Sequence, residues 1–414
     1  MDNSIKNVDV IISGGGLSGC LMALGLAKLT KADGSLLSIA IVEANPTTQQ
    51  EDQPSLFDDR VLALSHGSAA YLHELGAWQH LAAYACAIDK IDISDRGHYG
   101  KARLEAHEQG VSALGYVIEM ATLGRGLLKE LAQQSNLVWF NPDQISHIHW
   151  QSPDHANQVK VELNSGQSIA ASLLLACDGA NSPCRKMAGI QSSQSNYQQV
   201  ALIANVATQK PHQNKAFERF TAFGPLAMLP LLPLDGQSRC SLVWTMTPQQ
   251  SEVLQGLDDA QFSEQLEQAF GSWLGEITQV GKRDVFPLSL LLAQQQTYHR
   301  MALIGNAAHT IHPIAGQGFN LGLRDVALMA KLVKESLANS QESANIDLGQ
   351  FALLNEYARL RQLDQKQVIE LTDSLVTLFA NDLPPLIAGR NIGLKVMNYF
   401  SPLKNTLVNK LMGY

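Results

Sequence analysis

The chain has 414 residues, 45% hydrophobic and 16% charged, which is enough apolar surface to offset chain entropy and excludes disorder throughout. At this length two intertwined domains are the first expectation. A formal net charge of −8 argues against a nucleic-acid partner held by bulk electrostatics.

In chain order, Val8 to Ser13 is a short β-branched run that stops at Gly14-Gly15-Gly16. From Gly19 to Leu29 the pattern is helical, with Cys20, Ala23 and Ala27 small on one side; Ser38 to Val42 is strand-like again and ends at Glu43. Strand, glycine turn, helix and strand make a βαβ unit. Gly14-x-Gly16-x-x-Gly19 has the dinucleotide spacing: a tight turn, close approach of backbone to pyrophosphate, and tight packing of helix on strand. Glu43 is placed to accept hydrogen bonds from the adenosine ribose, and the helix points its first amides at the phosphates. An ordinary glycine turn would lack this ordered company. The motif does not separate FAD from NAD. Asp59-Arg60 pairs either with a ligand or with itself at the surface, where such pairs add little.

Leu173 to Cys177 is a second apolar strand, running into Asp178-Gly179, where Asp178 either accepts from amides around a pyrophosphate or caps its own turn. Ile88 to Ser94, Gln199 to Ala207, Lys215 to Phe220, Leu226 to Leu232 and Arg239 to Met246 read as strands separated by Gly, Pro and Asp turns, an antiparallel sheet in a second domain. Met301 to Ile304 is the third strand with a glycine end, Gly305-Asn306, followed by a Gly/Pro-rich loop to Gly318 and a helix from Phe319 to Val333. That loop presents unpaired N–H groups and a partial positive charge, which in a flavoenzyme stabilises negative charge on the reduced ring; plain helix capping is the bland alternative. His309 and His312, three apart in a loop with no carboxylate or Cys beside them, are read as packing or hydrogen-bonding groups rather than metal ligands.

Three strand ends with glycine turns predict one doubly wound α/β domain interrupted by insertions. The expected division is a discontinuous cofactor domain over 1–80, 116–190 and 282–360, an antiparallel-sheet substrate domain over 81–115 and 191–281, and a helical segment over 361–414. The last stretch, Leu383 to Tyr414, holds Arg390, Lys395, Lys404 and Lys410 with no acid. It reads either as terminal helices with solvated lysines or as a basic amphipathic surface against anionic lipid. Five cysteines without a C-x-x-C pair suit a reducing cytosol. With no signal-peptide pattern and no apolar run near the ~18 residues of a spanning helix, the expected location is cytoplasmic, at most peripheral to the inner face of a membrane.

Together the first glycine motif, Asp178-Gly179 with Arg185, and the Gly305 loop resemble the class A flavoprotein aromatic hydroxylases, with the p-hydroxybenzoate hydroxylase fold. Ile93-Ser94-Asp95-Arg96-Gly97-His98, Phe217-Glu218-Arg219-Phe220 with Gly224 to Pro230, Gly305 to Asp325, Asp373-Ser374-Leu375 and Gly389 to Gly393 extend the resemblance over nearly the whole chain. They make it most similar to the ubiquinone-biosynthesis hydroxylases acting on 2-polyprenyl-6-methoxyphenol. The resemblance implies bound FAD, NAD(P)H as reductant and O2 as oxidant, with oxygen delivered from a flavin C4a-hydroperoxide to an electron-rich ring. It places Gly14, Gly16, Gly19 and Glu43 at the ADP half, Arg60 and Asp178 near the pyrophosphate and ribityl chain, Gly305 and Asn306 at the ribityl, and Pro313, Gly316, Gly318 and Asn320 along the isoalloxazine. Asn306 stands where many relatives carry Asp, and Asn still bonds a ribityl hydroxyl, without charge. Leu226, Met228, Pro230 and Trp244 are the candidate floor for a prenylated phenol, and no phenol-activating base is named. Other readings are a sibling hydroxylase acting at another ring position and a flavin-bound lipid carrier within a quinone-synthesis complex.

Overall fold

The computed structural model describes residues 5–46, 61–95, 101–150, 157–221, 223–311, 316–339 and 347–380, with 408, 412 and 413 near the C-terminus; for 371–380 it describes the backbone alone. The α-helices are, in chain order, α1 (Leu17–Ala27), α2 (His66–Glu74), α3 (Met120–Leu131), α4 (Pro183–Met187), α5 (Pro248–Gln255), α6 (Asp259–Phe270), α7 (Gln317–Asn339) and α8 (Phe351–Ala380).

Apolar runs with no polar alternation build a six-stranded sheet, in the order Thr297–Tyr298, Met301–Leu303, Leu173–Ala176, Val10–Ser13, Ile39–Val42 and Leu137–Phe140. All neighbours are parallel except the first pair. Such runs suit strands covered on both sides. One side packs on α1, α3 and α7 through residues such as Leu24, Leu127 and Met329. The other side packs on α4 and on a four-stranded sheet carrying Val159, Val161 and Ile169. From the central strand Val10–Ser13 the chain leaves through α1 to Ile39–Val42 on one side, while Leu173–Ala176 lies on the other. The crevice where strand order reverses is where ligands of such sheets bind, and Gly14, Glu43, Asp178 and Gly305 all stand just past the carboxyl ends of these strands.

The second, nine-stranded sheet runs His309–Thr310, Asp284–Ala293, Ser192–Thr208, Gln237–Met246, Pro225–Leu234, Lys215–Phe220, Lys90–Asp95, Lys101–Glu105, with Ile277–Val280 paired beside Ser192–Thr208. It is antiparallel apart from Lys90–Asp95 against Lys215–Phe220. Helices α5 and α6 begin with capping boxes at Thr247 and Asp258 and cover one face, where Phe262, Leu266 and Phe270 pack on Phe217, Leu226, Met228 and Trp244. The other face meets a three-stranded sheet of Val61–Ser65, Gly115–Glu119 and Cys86–Ile88, through Ala216, Leu229 and Leu231 against Val61, Ile88 and Val117. One expected boundary moves. Asp284–Ala293 pairs along Ser192–Thr208, so the wide antiparallel sheet takes in residues up to 293, because an apolar strand must pair its backbone groups before the chain can leave the sheet.

Candidate cofactor site

Gly14 has φ +96°, a conformation glycine adopts without strain, and its N–H donates to the Val42 carbonyl at 2.8 Å. A Cβ on Gly14 would lie 2.6 Å from the Cys177 carbonyl oxygen, and one on Gly19 would lie 1.8 Å from that of Gly14. These two glycines are therefore demanded by protein packing alone. Gly16 differs: a Cβ there would meet nothing within 4 Å, so space opens above the start of α1. No side chain caps α1 and no acid occupies its first turn, which leaves its leading N–H groups and positive end to a ligand. Glu43 lies against this loop, accepting the Gly15 N–H at 2.6 Å and the Asn45 N–H at 2.8 Å.

Across the crevice, Asp178 accepts the Cys184 N–H at 3.0 Å through Oδ2, while Oδ1 is buried with no hydrogen-bond partner among the described residues. An unmet acceptor of this kind costs about 1–3 kcal/mol, so the chemistry calls for a donor from a ligand. Buried Arg185 donates to the carbonyls of Ala180 and Ala307, both at 2.7 Å, and thereby braces the Asp178 turn against the Gly305 turn.

Gly305, at φ +61°, donates its N–H to Asp325 Oδ2 at 2.8 Å. Asp325 is fully buried on α7 and also takes Nε2 of His309 at 2.8 Å and the Arg361 guanidinium from α8. Burial pushes the Asp325 carboxyl up, but Arg361, His309 and the Gly305 N–H outweigh it and hold the group below its ordinary value. His309 is thus a hydrogen-bonding residue of the loop, and its carboxylate partner comes from sixteen residues on. Asn320 clamps the start of α7: its amide donates to Ala63 O at 2.8 Å and Gly316 O at 2.7 Å, and its Oδ1 accepts the Ser65 N–H and the Ser68 hydroxyl at 2.9 and 2.7 Å. Those bonds occupy its polar atoms, so it shapes the loop rather than reaching past it.

The structure therefore brings Gly14, Gly16, Gly19, Glu43, Asp178 and Gly305 to one crevice, with Gly316, Gly318 and Asn320 at the amino end of α7. Asn306 is exposed on the turn after Gly305. Arg60, His312 and Pro313 lie outside the described residues, as do most of 383–414. The anticipated substrate floor needs correction. Leu226, Met228 and Trp244 are buried against α5 and α6, and Pro230 shares their parity. The side chains turned towards the three-stranded sheet are instead Ala227, Leu229 and Val243, because strand faces alternate with period two. No local spacing in the sequence points to roles for Arg185, Asp325 or Arg361. A lone Asp within the apolar pattern of α7 was the available sign.

Residues 7–368 match the model of a family described as FAD binding domain. The chain belongs to this FAD-binding family. It is 33% identical over 417 residues to the ubiquinone hydroxylase UbiL of Rhodospirillum rubrum, spanning 99% of this chain and 90% of that one. It is 31% identical to the 3-demethoxyubiquinol 3-hydroxylase of Escherichia coli, spanning 98% of each. Among solved structures it shares its fold with p-nitrophenol 4-monooxygenase PnpA from Pseudomonas putida, with a TM-score of 0.73 at 18% identity over 99% of both chains. PqsL of Pseudomonas aeruginosa, a probable FAD-dependent monooxygenase, gives 0.73 and 18% over 94% of this chain and all of that one. The expected p-hydroxybenzoate-hydroxylase-like architecture is the observed one, and the protein is an FAD-dependent monooxygenase.

Proposed function

We propose that the protein hydroxylates the ring of 2-polyprenyl-6-methoxyphenol in ubiquinone biosynthesis, with NAD(P)H and O2 as co-substrates. The crevice carries the flavin half of this reading, with uncapped α1 amides over the open side of Gly16 and an Asp178 oxygen that has no donor among the described residues; the ring substrate rests on the likeness to ubiquinone hydroxylases. FAD fits both, offering phosphate oxygens to the amides and hydroxyl groups to the carboxylates. In this reading Gly16 admits the pyrophosphate, Gly14 and Gly19 let α1 pack close enough to present its amides to it, Glu43 takes the adenosine ribose, and Arg60, Asp178, Gly305 and Asn306 attend the pyrophosphate and ribityl chain. Pro313, Gly316 and Gly318 flank the isoalloxazine, with Asn320 holding their loop.

Bound FAD supplies redox chemistry that reduces O2 with electrons from NAD(P)H and delivers one oxygen atom to the ring. The chain's own part is to hold the ring, exclude water and place charge. The amino end of α7 stabilises negative charge near the reduced flavin. Ala227, Leu229 and Val243 give an apolar wall for the prenyl tail, where each buried CH₂ contributes roughly 0.8 kcal/mol. Among the described residues no helix is long and apolar enough to cross a membrane, and a peripheral contact through 383–414 would bring the protein to a lipid-borne substrate at the cytoplasmic face.

A strain lacking the protein is expected to accumulate 2-polyprenyl-6-methoxyphenol, read by mass spectrometry of quinone intermediates; a normal ubiquinone pool contradicts the reading. The 31% identity to a 3-demethoxyubiquinol 3-hydroxylase keeps a sibling position in view, and accumulation of a demethoxy precursor instead would select it. A quinone-complex carrier without turnover would oxidise NAD(P)H with no hydroxylated product.

A further inference from the structure

Lys215–Phe220 is an edge-to-centre strand whose side chains alternate between two very different surroundings. Phe217 packs edge-on against Phe270, with ring centroids 5.3 Å apart, and Arg219 donates to the Ala269 carbonyl at 3.0 Å, so both point at α6. Glu218 therefore points the other way, with Ala216. Its cross-strand row is apolar: Ile93 on one side, then Ala227, Val243 and Ile203 on the other. Among the described residues nothing hydrogen-bonds to the Glu218 carboxylate or forms an ion pair with it, yet the residue keeps partial contact with solvent. The carboxylate is thus hemmed in by apolar neighbours yet partly open to solvent on this surface of the sheet.

That surface faces the cofactor loop. Ala216, beside Glu218 on the same face, packs with Val117 of the three-stranded sheet. Val117 stands directly opposite Ala63, so their side chains share one face of that sheet. Ala63 is also the residue whose Cβ lies 2.9 Å from where a Gly316 side chain would begin. The Glu218 face and the Gly316 turn thus adjoin the same side of one small sheet.

We propose that Glu218 is the base that accepts the proton of the substrate's phenol. The assignment rests on the hydroxylase reading above. The phenolic O–H bond breaks, its proton passes to a Glu218 carboxylate oxygen, and its electron pair stays on the phenol oxygen, where delocalisation raises electron density at the ortho and para carbons. Electrophilic oxygen transfer needs that density. Burial alone pushes the carboxyl up to about 7, which suits a base working near neutrality. The charged groups sharing its side are Asp95 in the adjacent strand, Arg239 paired with Glu119 at 3.8 Å, and Asp284 at the end of the row, and none of them contributes to the shift.

The test uses the oxidised holoprotein and 2-geranyl-6-methoxyphenol, first without reductant. Wild-type protein is expected to bind this probe and, once NAD(P)H is added, to show a kcat/KM that rises through pH about 7, where Glu218 gives up its own proton and can act as a base. Glu218→Gln is expected to bind the probe, keep its FAD, lose the rise of kcat/KM through the same pH, and turn over at least ~10²-fold more slowly. A wild-type kcat/KM that stays flat between about pH 6 and 8 overturns the assignment without recourse to any variant. Equal hydroxylation by Glu218→Gln overturns it while leaving the hydroxylase standing, whereas wild-type holoprotein that neither binds nor hydroxylates the probe removes both.

Discussion

Single side chains, and their absence, decide much of this site. Gly19 lies so close to the Gly14 carbonyl that a methyl group would overlap it at 1.8 Å. Gly19→Ala must therefore push α1 off the strand, and purified protein is expected to contain little or no bound flavin; full flavin content would contradict the packing argument. Glu218 makes a prediction of opposite sign. Its folded value near 7 exceeds the ordinary 4.5, so the folded state holds the proton more tightly than the unfolded one. The associated stability is complete below about 4.5 and is lost as pH rises through 7. Gln mimics the protonated form. Glu218→Gln is accordingly expected to melt above wild type at pH 8 and close to it at pH 4.5, a gain in stability at the expense of function. A variant that melts lower at pH 8 would show that the carboxylate is stabilised by contacts other than those described.

At the level of elements, the amino end of α7 is fixed from two directions. Asn320 ties it to the Val61–Ser65 strand and α2, and Asp325 ties it to the Gly305 turn and to Arg361 of α8. Asp325→Ala would leave buried Arg361 with Asp364, itself 31% exposed, as its counter-charge, and removing the buried partner of such a pair costs up to about 3–5 kcal/mol. It is expected to lower the melting temperature and release flavin together; loss of neither would mean that the pair is dispensable. Because the Asp325 carboxyl lies below its ordinary 3.8, its contribution is present above that pH and is lost as pH falls through the folded value. Asp325→Asn should therefore lose less stability than wild type on acidification below pH 4. None of this was legible in the sequence: Asp325 and Arg361 are thirty-six positions apart, and no local spacing links them. The strands around Leu226 were legible as strands, but not their faces. Pro225–Leu234 is apolar at both parities, so only the presence of α5 and α6 on one side decides which residues are core.

For the whole molecule, the sequence announced the convergence better than the partition. Three apolar runs, each ending in glycine, do lie side by side as parallel strands with their ends at one crevice. A β-branched run before a glycine turn carries that information locally. The reach of the wide sheet does not show locally, since Asp284–Ala293 takes its identity from a partner about ninety residues earlier. With FAD bound at those strand ends, the oxygen added to the ring is expected to come from O2. Incubating holoprotein with NAD(P)H and 2-geranyl-6-methoxyphenol under ¹⁸O₂, followed by mass spectrometry of the product, tests this most directly. The prediction is a hydroxylated ring bearing one heavy oxygen; NAD(P)H consumption that yields only hydrogen peroxide, or a hydroxyl oxygen drawn from water, would contradict it.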